Sequence, residues 1–241
     1  PAATDWINGE LNAKQITNIK IEDLLERDTI LLDQNEIHEQ IHENTIMVTG
    51  ACGSIGSELV RQIIKFYPGE LILVDQAETP MNDLQLELAE KDNYINYKVY
   101  LADVRNTQNM EAIIRNHQPK IIYHAAAYKH VPLVEHNPAE GIKNNVFGTL
   151  RTALAAADNS VSDFVLVSTD KAVRPTNVMG ATKRLAELIL QAHARNQQGT
   201  RFCMVRFGNV LGSSGSVVPL FKEQIRQGGP VTVTHPEVIR Y

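Results

Sequence analysis

Three adjacent polar residues, Thr169, Asp170 and Lys171, carry the side chains best suited to proton transfer in this chain. They follow an apolar segment of strand length, Asp163–Val167. In an open α/β sheet, residues that leave the carboxyl end of a strand face the ligand crevice. There a hydroxyl can hydrogen-bond a substrate oxygen, a carboxyl group can donate a proton and an amine can accept one. The alternative is a solvated turn, which is the more common role of three such residues taken alone.

A glycine-rich segment predicts a phosphate-binding loop. Gly50, Gly53 and Gly56 follow the predicted strand Thr45–Thr49 and lead into the predicted helix Ser54–Phe66. The first glycine permits a tight turn, the second lets a pyrophosphate approach the backbone, and the third lets the helix lie against the sheet. A strand before the glycines and a helix after them make this interpretation stronger than that of a ligand-free turn.

The residues that follow the glycines favour NAD as the ligand. Ser54 and Ile55 open the helix, where unpaired N–H groups and the helix dipole attract a pyrophosphate. Asp75 ends the second strand, where it would bind the adenosine ribose and repel a 2′-phosphate, although it could also merely cap a turn. Asp103, followed by Val104, could meet the adenine amino group, but aspartate at a strand end is also common in turns.

From Thr45 onward, apolar runs of strand length alternate with segments of helical period. This pattern predicts βαβ units and an α/β fold with a doubly wound, mainly parallel sheet, the Rossmann fold. The predicted strands are Thr45–Thr49, Glu70–Val74, Ile95–Tyr100, Lys120–His124, Asp163–Val167 and Arg201–Phe207. The predicted helices are Ser54–Phe66, Pro80–Lys91 (capped by Thr79), Thr107–Asn116, Pro138–Ala157, Val178–Ala194 and Pro219–Gln227.

Residues 1–44 are polar and weakly patterned, and we expect them to form an N-terminal arm rather than a domain. Short helices are conceivable in the arm at Ile21–Glu26 and Asn35–Asn44. Residues 45–241 are predicted to be the NAD-binding Rossmann domain together with the start of a substrate-binding region, whose C-terminal part lies beyond Tyr241.

The composition argues against several other classes of function. The 241 residues carry a net charge of −5 and no long basic run, which argues against nucleic acid as a partner. No apolar stretch has the length of a membrane span and no signal peptide is visible, so we expect no membrane contact by these residues. Cys52 and Cys203 are too few for a disulfide framework, which favours a cytoplasmic setting. His124 and His130 lack a suitably spaced third ligand, so no metal site is predicted.

Six segments resemble the extended short-chain dehydrogenase/reductases, and most closely the UDP-N-acetylglucosamine 4,6-dehydratases of bacterial polysaccharide biosynthesis. That superfamily usually has a Tyr-x-x-x-Lys sequence, but here Met179 takes the tyrosine position before Lys183. The large, membrane-anchored branch of the dehydratases is similar in having this methionine. The six segments are Thr49–Glu58 (TGACGSIGSE), His124–Pro132 (HAAAYKHVP), Asn144–Thr149 (NNVFGT), Ser168–Val173 (STDKAV), Pro175–Arg184 (PTNVMGATKR) and Arg206–Ser213 (RFGNVLGS).

The resemblance implies a reaction and a set of roles. Such an enzyme oxidises C4 of a UDP-N-acetylhexosamine by hydride transfer to tightly bound NAD, loses water across C5–C6 and returns the hydride to C6. Thr169 would hydrogen-bond the sugar O4, Asp170 would be the acid and Lys171 would be the C5 base. Lys183 would bind the nicotinamide ribose. Because the thioether of Met179 cannot exchange a proton, another group must deprotonate the 4-hydroxyl, and Asp170 is the first candidate.

The remaining expectations from the resemblance concern binding and context. Asn145 would help to hold Lys183 through water, and Ala125 and Ala126 would contact NAD. The residues expected to contact the UDP-sugar are Lys129, His130, Asn209, Val218 and Pro219. We expect a homo-oligomer and a cytoplasmic domain from the middle of a bacterial inner-membrane protein. Two alternatives stay open: a nucleotide-sugar C4 epimerase, which needs no acid–base pair for water loss, and a non-catalytic NAD-sensing module.

Overall fold

The computed structural model describes residues 32–90, 96–196, 199–208, 210 and 217–233, with the side chains of 217–219 left out. The chain divides into two compact units, one formed by Asp33–Ser213 and the other by Pro1–Leu32 with Ser214–Tyr241. The first unit contains a six-stranded sheet. The described part of the second contains one helix, Val217–Arg226. The short helix predicted at Ile21–Glu26 lies outside the described residues.

All six strands are parallel, in the order β3-β2-β1-β4-β5-β6. The order reverses between β1 and β4, and in a doubly wound sheet this reversal opens a ligand crevice at the carboxyl ends of the strands. The predicted fold class is therefore confirmed. The strands are β1 Thr45–Thr49, β2 Glu70–Asp75, β3 Tyr97–Leu101, β4 Ile121–His124, β5 Asp163–Thr169 and β6 Arg201–Phe207.

The crossover connections between the strands are helical, as the right-handed parallel crossover requires. The helices are α1 Gln34–Ile41, α2 Ser54–Ile63, α3 Glu78–Ala89, α4 Thr107–His117, α5 Val131–His136, α6 Pro138–Gly141, α7 Thr149–Asp158, α8 Val178–Asn196 and α9 Val217–Arg226. The described residues also include short 3-10 turns at Ile64–Phe66 and Asp170–Ala172 and a π-helical segment at Ile142–Gly148.

Alternate residues of the central strands point into two separate cores, one on each face of the sheet. Met47 and Ile72 belong to the core covered by α4, α7 and α8. Ile46 and Leu71 belong to the core covered by α1, α2 and α3. All four side chains have no exposed surface. Because both faces are covered, the inner strands are apolar at nearly every position, as a parallel sheet requires.

The compact unit begins earlier than the predicted boundary at residue 45. Asp33 caps α1 by accepting hydrogen bonds from the N–H groups of Asn35 and Glu36. Ile41, at the end of α1, is 4% exposed and packs in the core with Ile46. Residues 33–44 are therefore part of the sheet unit and not of a separate arm.

Two predicted helices differ from the observed ones. The helix predicted at Pro138–Ala157 contains a π-helical segment at Ile142–Gly148, where buried asparagines bond to other parts of the chain. The helix predicted from Pro80 begins at Glu78, so Thr79 is not its cap. The preceding strand ends in Asp75, whose carboxylate binds the N–H group of Ala77 and starts the helix early. The predicted start of β3 at residue 95 lies outside the described residues.

Candidate functional site

A cavity of about 250 Å³ lies at the carboxyl ends of β1, β2, β3 and β4, where the strand order reverses. Seven of the predicted cofactor residues line it: Gly50, Gly53, Asp75, Asp103, Val104, Ala125 and Ala126. Tyr128 also lines it and lies in the loop after β4 that the family resemblance places at the cofactor and the sugar. The sequence did not assign a cofactor role to the others, which are Cys52, Val74, Gln76, Ala77, Pro80, Ala102, Ala127 and Asn144. Most of these residues directly adjoin predicted residues at the strand ends. Their position at a strand end could therefore have identified them as residues of the cavity wall.

The glycine loop is shaped by close backbone contacts. Gly50 has a φ of +67°, and a Cβ there would lie 2.6 Å from the nitrogen of Ala126. A Cβ on Gly56 would lie 2.0 Å from the carbonyl oxygen of Gly50. A Cβ on Gly53 would meet only that same oxygen, at 3.4 Å, which is an ordinary contact. The chain itself therefore requires glycine at two of the three positions, whereas Gly53 faces the cavity.

Asp75 has a structural role in addition to the predicted binding of the adenosine ribose. One carboxylate oxygen accepts a hydrogen bond from the N–H of Cys52 at 2.9 Å, and the other accepts one from the N–H of Ala77 at 3.0 Å. The carboxylate thus ties the glycine loop to the start of α3. Each oxygen has a second lone pair, so the residue can still accept hydrogen bonds from a ligand in the cavity.

Cys52 is not an activated thiol. Burial, together with the nearby charge of Asp75, raises its pKa to about 12. Its Sγ lies 3.7 Å from Sδ of Met81 in the core under α3. A thiol that stays protonated at neutral pH is a poor nucleophile.

Asp103 lines the cavity but is already engaged by Arg105. The Arg105 guanidinium contacts both carboxylate oxygens at 2.6–3.0 Å, and the backbone N–H of Arg105 donates to one of them at 2.8 Å. These hydrogen bonds outweigh burial and lower the pKa of Asp103. Arg105 also pairs with Glu140 of α6 at 2.8 Å. A hydrogen bond from an adenine amino group to Asp103 would have to share an oxygen with this ion pair.

Thr169, Asp170 and Lys171 form one hydrogen-bonded group at the end of β5. The hydroxyl of Thr169 donates to Oδ1 of Asp170 at 2.9 Å, and Nζ of Lys171 donates to the same oxygen at 3.1 Å. Burial acts to raise the pKa of Asp170, but these hydrogen bonds outweigh it and hold the pKa below its usual value. At neutral pH Asp170 is thus a carboxylate, a form that can accept a proton but cannot yet donate one.

Lys183 and Met179 lie one turn apart on α8, and each side chain is 4% exposed. Burial lowers the pKa of Lys183 to about 8, against the opposing effect of the Glu187 carboxylate. Near pH 8 the amine therefore exists in both protonation states. The structure brings Met179 and Lys183 to one helix face, as the spacing predicts.

Asn145 is fully buried in the π-helical segment and fixes the loop that follows β4. Its amide accepts a hydrogen bond from the N–H of Tyr128 at 2.8 Å and donates to the carbonyl of Tyr128 at 2.9 Å. It also donates to Oγ1 of Thr182 on α8 at 3.0 Å. The residue thus contacts the neighbour of Lys183 and joins the cavity wall to α8. π-Helical segments often occur at functional sites.

His124 is a buried, neutral member of a hydrogen-bond chain. The hydroxyl of Thr149 donates to the carbonyl of Asn145, so Nε2 of His124 must donate to that hydroxyl at 3.1 Å. Nδ1 then accepts from the hydroxyl of Thr49 at 2.8 Å. Burial, and next the charge of Lys183, lowers the pKa of His124 to about 3. Both ring nitrogens are therefore occupied in holding β1, β4 and α7 together.

Comparison with known proteins assigns the chain to a family. Residues 46–241 match the model of a family described as polysaccharide biosynthesis protein. The chain belongs to this family. The capsular polysaccharide biosynthesis protein CapD of Staphylococcus aureus is 49% identical over 242 residues, which cover 100% of this chain and 40% of CapD. The chain thus spans less than half the length of this relative.

Other members of the wider fold are also similar. A UDP-glucose 4-epimerase of Rickettsia typhi is 37% identical over 205 residues, which cover 83% of this chain and 58% of the epimerase. Among solved structures, Pen from Bacillus thuringiensis matches with a TM-score of 0.76 at 33% identity, covering 81% of this chain and 61% of Pen. Both matches cover more than four fifths of this chain.

The residues predicted to contact the sugar nucleotide are only partly described in this family member. Lys129 and His130 are exposed in the loop between β4 and α5. Asn209 and the side chains of Val218 and Pro219 lie outside the described residues, so their roles stay predictions. Among the helices that are described, none is both long enough and apolar enough to cross a bilayer.

Proposed function

We propose that this chain is the NAD-binding catalytic part of a nucleotide-sugar 4,6-dehydratase, with UDP-N-acetylglucosamine as the first candidate substrate. The single observation that supports this best is the hydrogen-bonded group of Thr169, Asp170 and Lys171 at the carboxyl end of β5. In this group a hydroxyl and an amine both lie within hydrogen-bonding distance of one carboxylate. Such a group suits a reaction with both acid and base steps.

The cavity at the strand-order reversal suits NAD. Gly53 and the N-terminus of α2 would hold the pyrophosphate, and Asp75 would hold the adenosine ribose. Lys183 would donate hydrogen bonds to the nicotinamide ribose. The open space at Gly53 supports this assignment, because the chain itself does not require a glycine there. When bound, NAD would supply the hydride acceptor for C4 and return the hydride to C6.

The chain's own residues would then move the protons. As a carboxylate, Asp170 can take the proton of the sugar 4-hydroxyl while Thr169 holds O4 in place. The protonated Asp170 can afterwards give that proton to the departing 6-hydroxyl, which leaves as water. Lys171 would take the C5 proton and later return it. Each residue ends in the state in which it began, so one substrate gives one 4-keto-6-deoxy product and one water.

A C4 epimerase is the second candidate, because the relative from Rickettsia typhi is a UDP-glucose 4-epimerase. The two reactions share the C4 oxidation and differ at C6, where the epimerase keeps the hydroxyl group.

One experiment separates these candidates from a non-catalytic NAD module. A full-length catalytic domain that contains this chain is incubated with UDP-N-acetylglucosamine, and the products are followed by mass spectrometry and NMR. The dehydratase gives a 4-keto-6-deoxy sugar with the mass of one water lost. The epimerase gives the C4 epimer with unchanged mass, and a non-catalytic module gives neither. An epimer as the only product would overturn the dehydratase proposal.

A further inference from the structure

A buried carboxylate, Glu187 of α8, binds two side chains from neighbouring strands and one from its own helix. Its side chain has no exposed surface. One of its oxygens accepts hydrogen bonds from Oγ of Ser168 and from Nε of Arg206, both at 2.7 Å. The other accepts from Nη2 of Arg206 and, at 3.0 Å, from Nη1 of Arg184. A buried carboxylate with this many donors keeps its charge and its place.

The partners of Glu187 all adjoin the candidate site. Ser168 directly precedes Thr169 at the end of β5, and Arg206 is its register partner on β6. Lys183 lies one turn before Glu187 on the same helix. The carboxylate therefore joins the carboxyl ends of two strands to the helix that carries Lys183.

Glu187 also supplies negative charge close to Lys183. Burial would raise the pKa of Glu187, but hydrogen bonds from Arg206, Ser168 and Arg184 outweigh it and lower the pKa to about 2. His124 of β4, which is neutral, feels the charge of Lys183, and the 3-10 turn that carries the Asp170–Lys171 ion pair packs against α8. The Glu187 charge opposes the effect of burial on Lys183 and favours its ammonium form.

We propose that Glu187 is a positioning residue of the site, which holds the end of β5 in place and keeps Lys183 in the ammonium form that the cofactor ribose requires. This inference rests on the proposed function only in that Lys183 is taken to bind NAD. The carboxylate itself touches neither substrate nor cofactor, so its effect must pass through Lys183 and the β5 end.

The test measures NAD affinity by calorimetry from pH 6.5 to 9.5 in the parent protein and in Glu187→Gln. Affinity should fall in the parent as the pH rises through the pKa of Lys183. In Glu187→Gln the midpoint of this fall should move down by about one pH unit, because a nearby opposite charge is lost while Arg206 remains. At pH 8 the affinity should then be about fivefold weaker, since the protonated fraction of Lys183 falls from about a half to about a tenth.

Two further variants separate a charge effect from a loss of structure. Arg184→Gln removes one positive charge and leaves Ser168 and Arg206 bound to Glu187, so the midpoint should move up. Glu87→Gln is the control, because Glu87 of α3 accepts hydrogen bonds from two nitrogens of Arg61 on α2 in a similar bidentate ion pair. This variant should leave the midpoint of the fall in NAD affinity unchanged. If Glu187→Gln does not fold, the upward shift in Arg184→Gln, read also from the NMR titration of the Lys183 side chain, decides the question.

The outcomes are distinguishable. If NAD affinity in the parent does not change with pH in this range, the role of Lys183 in the proposed function is wrong. If it changes but neither Glu187→Gln nor Arg184→Gln moves the midpoint, the inference about Glu187 is wrong. Midpoints that move in the same direction in both variants would likewise overturn it, because loosened packing would act in that way.

Discussion

At the scale of single residues, Asp170 and Lys171 are expected to divide the chemistry between them. Asp170→Asn and Lys171→Ala should each lower turnover by on the order of 10²–10⁴, the usual contribution of a positioned acid or base, while NAD affinity is kept. Met179→Leu should change turnover far less, because it exchanges apolar side chains of similar volume. The measurements are the steady-state rate of 4-keto-sugar formation and the exchange of the C5 hydrogen in heavy water.

The exchange experiment gives this prediction its sharpest test. If Lys171→Ala incorporates deuterium at C5 at the parent rate, Lys171 is not the base. If Met179→Leu is as impaired as Asp170→Asn, then Met179 has a positional role that its chemistry does not suggest.

Asp75 gives a second prediction at this scale. The parent protein should bind NAD much more tightly than NADP, because the Asp75 carboxylate opposes a 2′-phosphate. Asp75→Ala should weaken NAD binding without creating strong NADP binding, since the N–H groups of Cys52 and Ala77 also lose their acceptor. Calorimetry with both cofactors checks this, with the exposed Asp83→Ala on α3 as the control. Tight NADP binding by Asp75→Ala would show that the carboxylate acts on selectivity alone.

The two roles of Asp75 also show which features the spacing of residues in the sequence can predict. The spacing of Gly50, Gly53, Gly56 and Asp75 was enough to predict the loop and the strand-end carboxylate, because both are local to one βαβ unit. It could not show that the carboxylate binds the loop, since that contact joins residues from two strand ends. Glu187 was missed for the same reason: only its position one turn after Lys183, on the buried face of a helix, could have marked it.

At the scale of elements, the hydrogen bonds that join Thr49, His124 and Thr149 make folding stability depend on pH. The pKa of His124 lies at about 3 in the folded protein and near its ordinary value of 6.5 in the unfolded chain. The unfolded state therefore binds more protons between these values, and stability is lost as the pH falls below 6.5. Between pH 6.5 and 5 this loss should be about 2 kcal/mol from this one residue.

Urea unfolding at several pH values measures that slope. His124→Asn should be less stable than the parent at pH 7 but should show a smaller loss between pH 6.5 and 5, because the titrating ring is gone. Glu187 titrates below this window in both states, so it does not interfere. An unchanged slope in His124→Asn would mean that another group is responsible.

The elements also differ in how well periodicity predicted them. The strands and the helices α2, α4 and α8 were predicted to within a few residues, because their apolar spacing is regular. The π-helical segment Ile142–Gly148 was not, since it depends on hydrogen bonds from Asn145 to Tyr128 and Thr182, which are distant in sequence.

At the scale of the whole molecule, we expect this 241-residue chain to bind NAD but to turn over substrate poorly. It covers 40% of the length of CapD, and we propose that residues which close over the nucleotide of the substrate belong to the part of such longer relatives that this chain does not cover. The check compares turnover of this chain with that of a protein extended at its C-terminus, at equal NAD occupancy. Equal rates would show that these residues already form the complete substrate site, and the proposed position of the residues that close over the nucleotide would be wrong.

The doubly wound parallel sheet was predictable at this scale, because alternating strands and helices admit few arrangements. The N-terminal limit of the compact unit was not predicted, since α1 is mostly polar and its contact with the core is made by the buried Ile41 and the partly buried Ile37.

The ion pairs of Arg105 with Asp103 and Glu140 should make the cavity wall at Asp103, where adenine is proposed to bind, sensitive to ionic strength. The guanidinium is 30% exposed, so dissolved salt can screen it. The Debye length falls from about 10 Å at 0.1 M to about 3 Å at 1 M. Salt should therefore loosen Arg105 and free Asp103 for the adenine amino group, so that adenosine, which has no phosphate, binds more tightly as salt is added. NAD also has a pyrophosphate, which is proposed to bind at the α2 N-terminus, and its affinity should fall as salt is added. Opposite salt responses of adenosine and NAD in calorimetry would thus distinguish the two ends of the crevice.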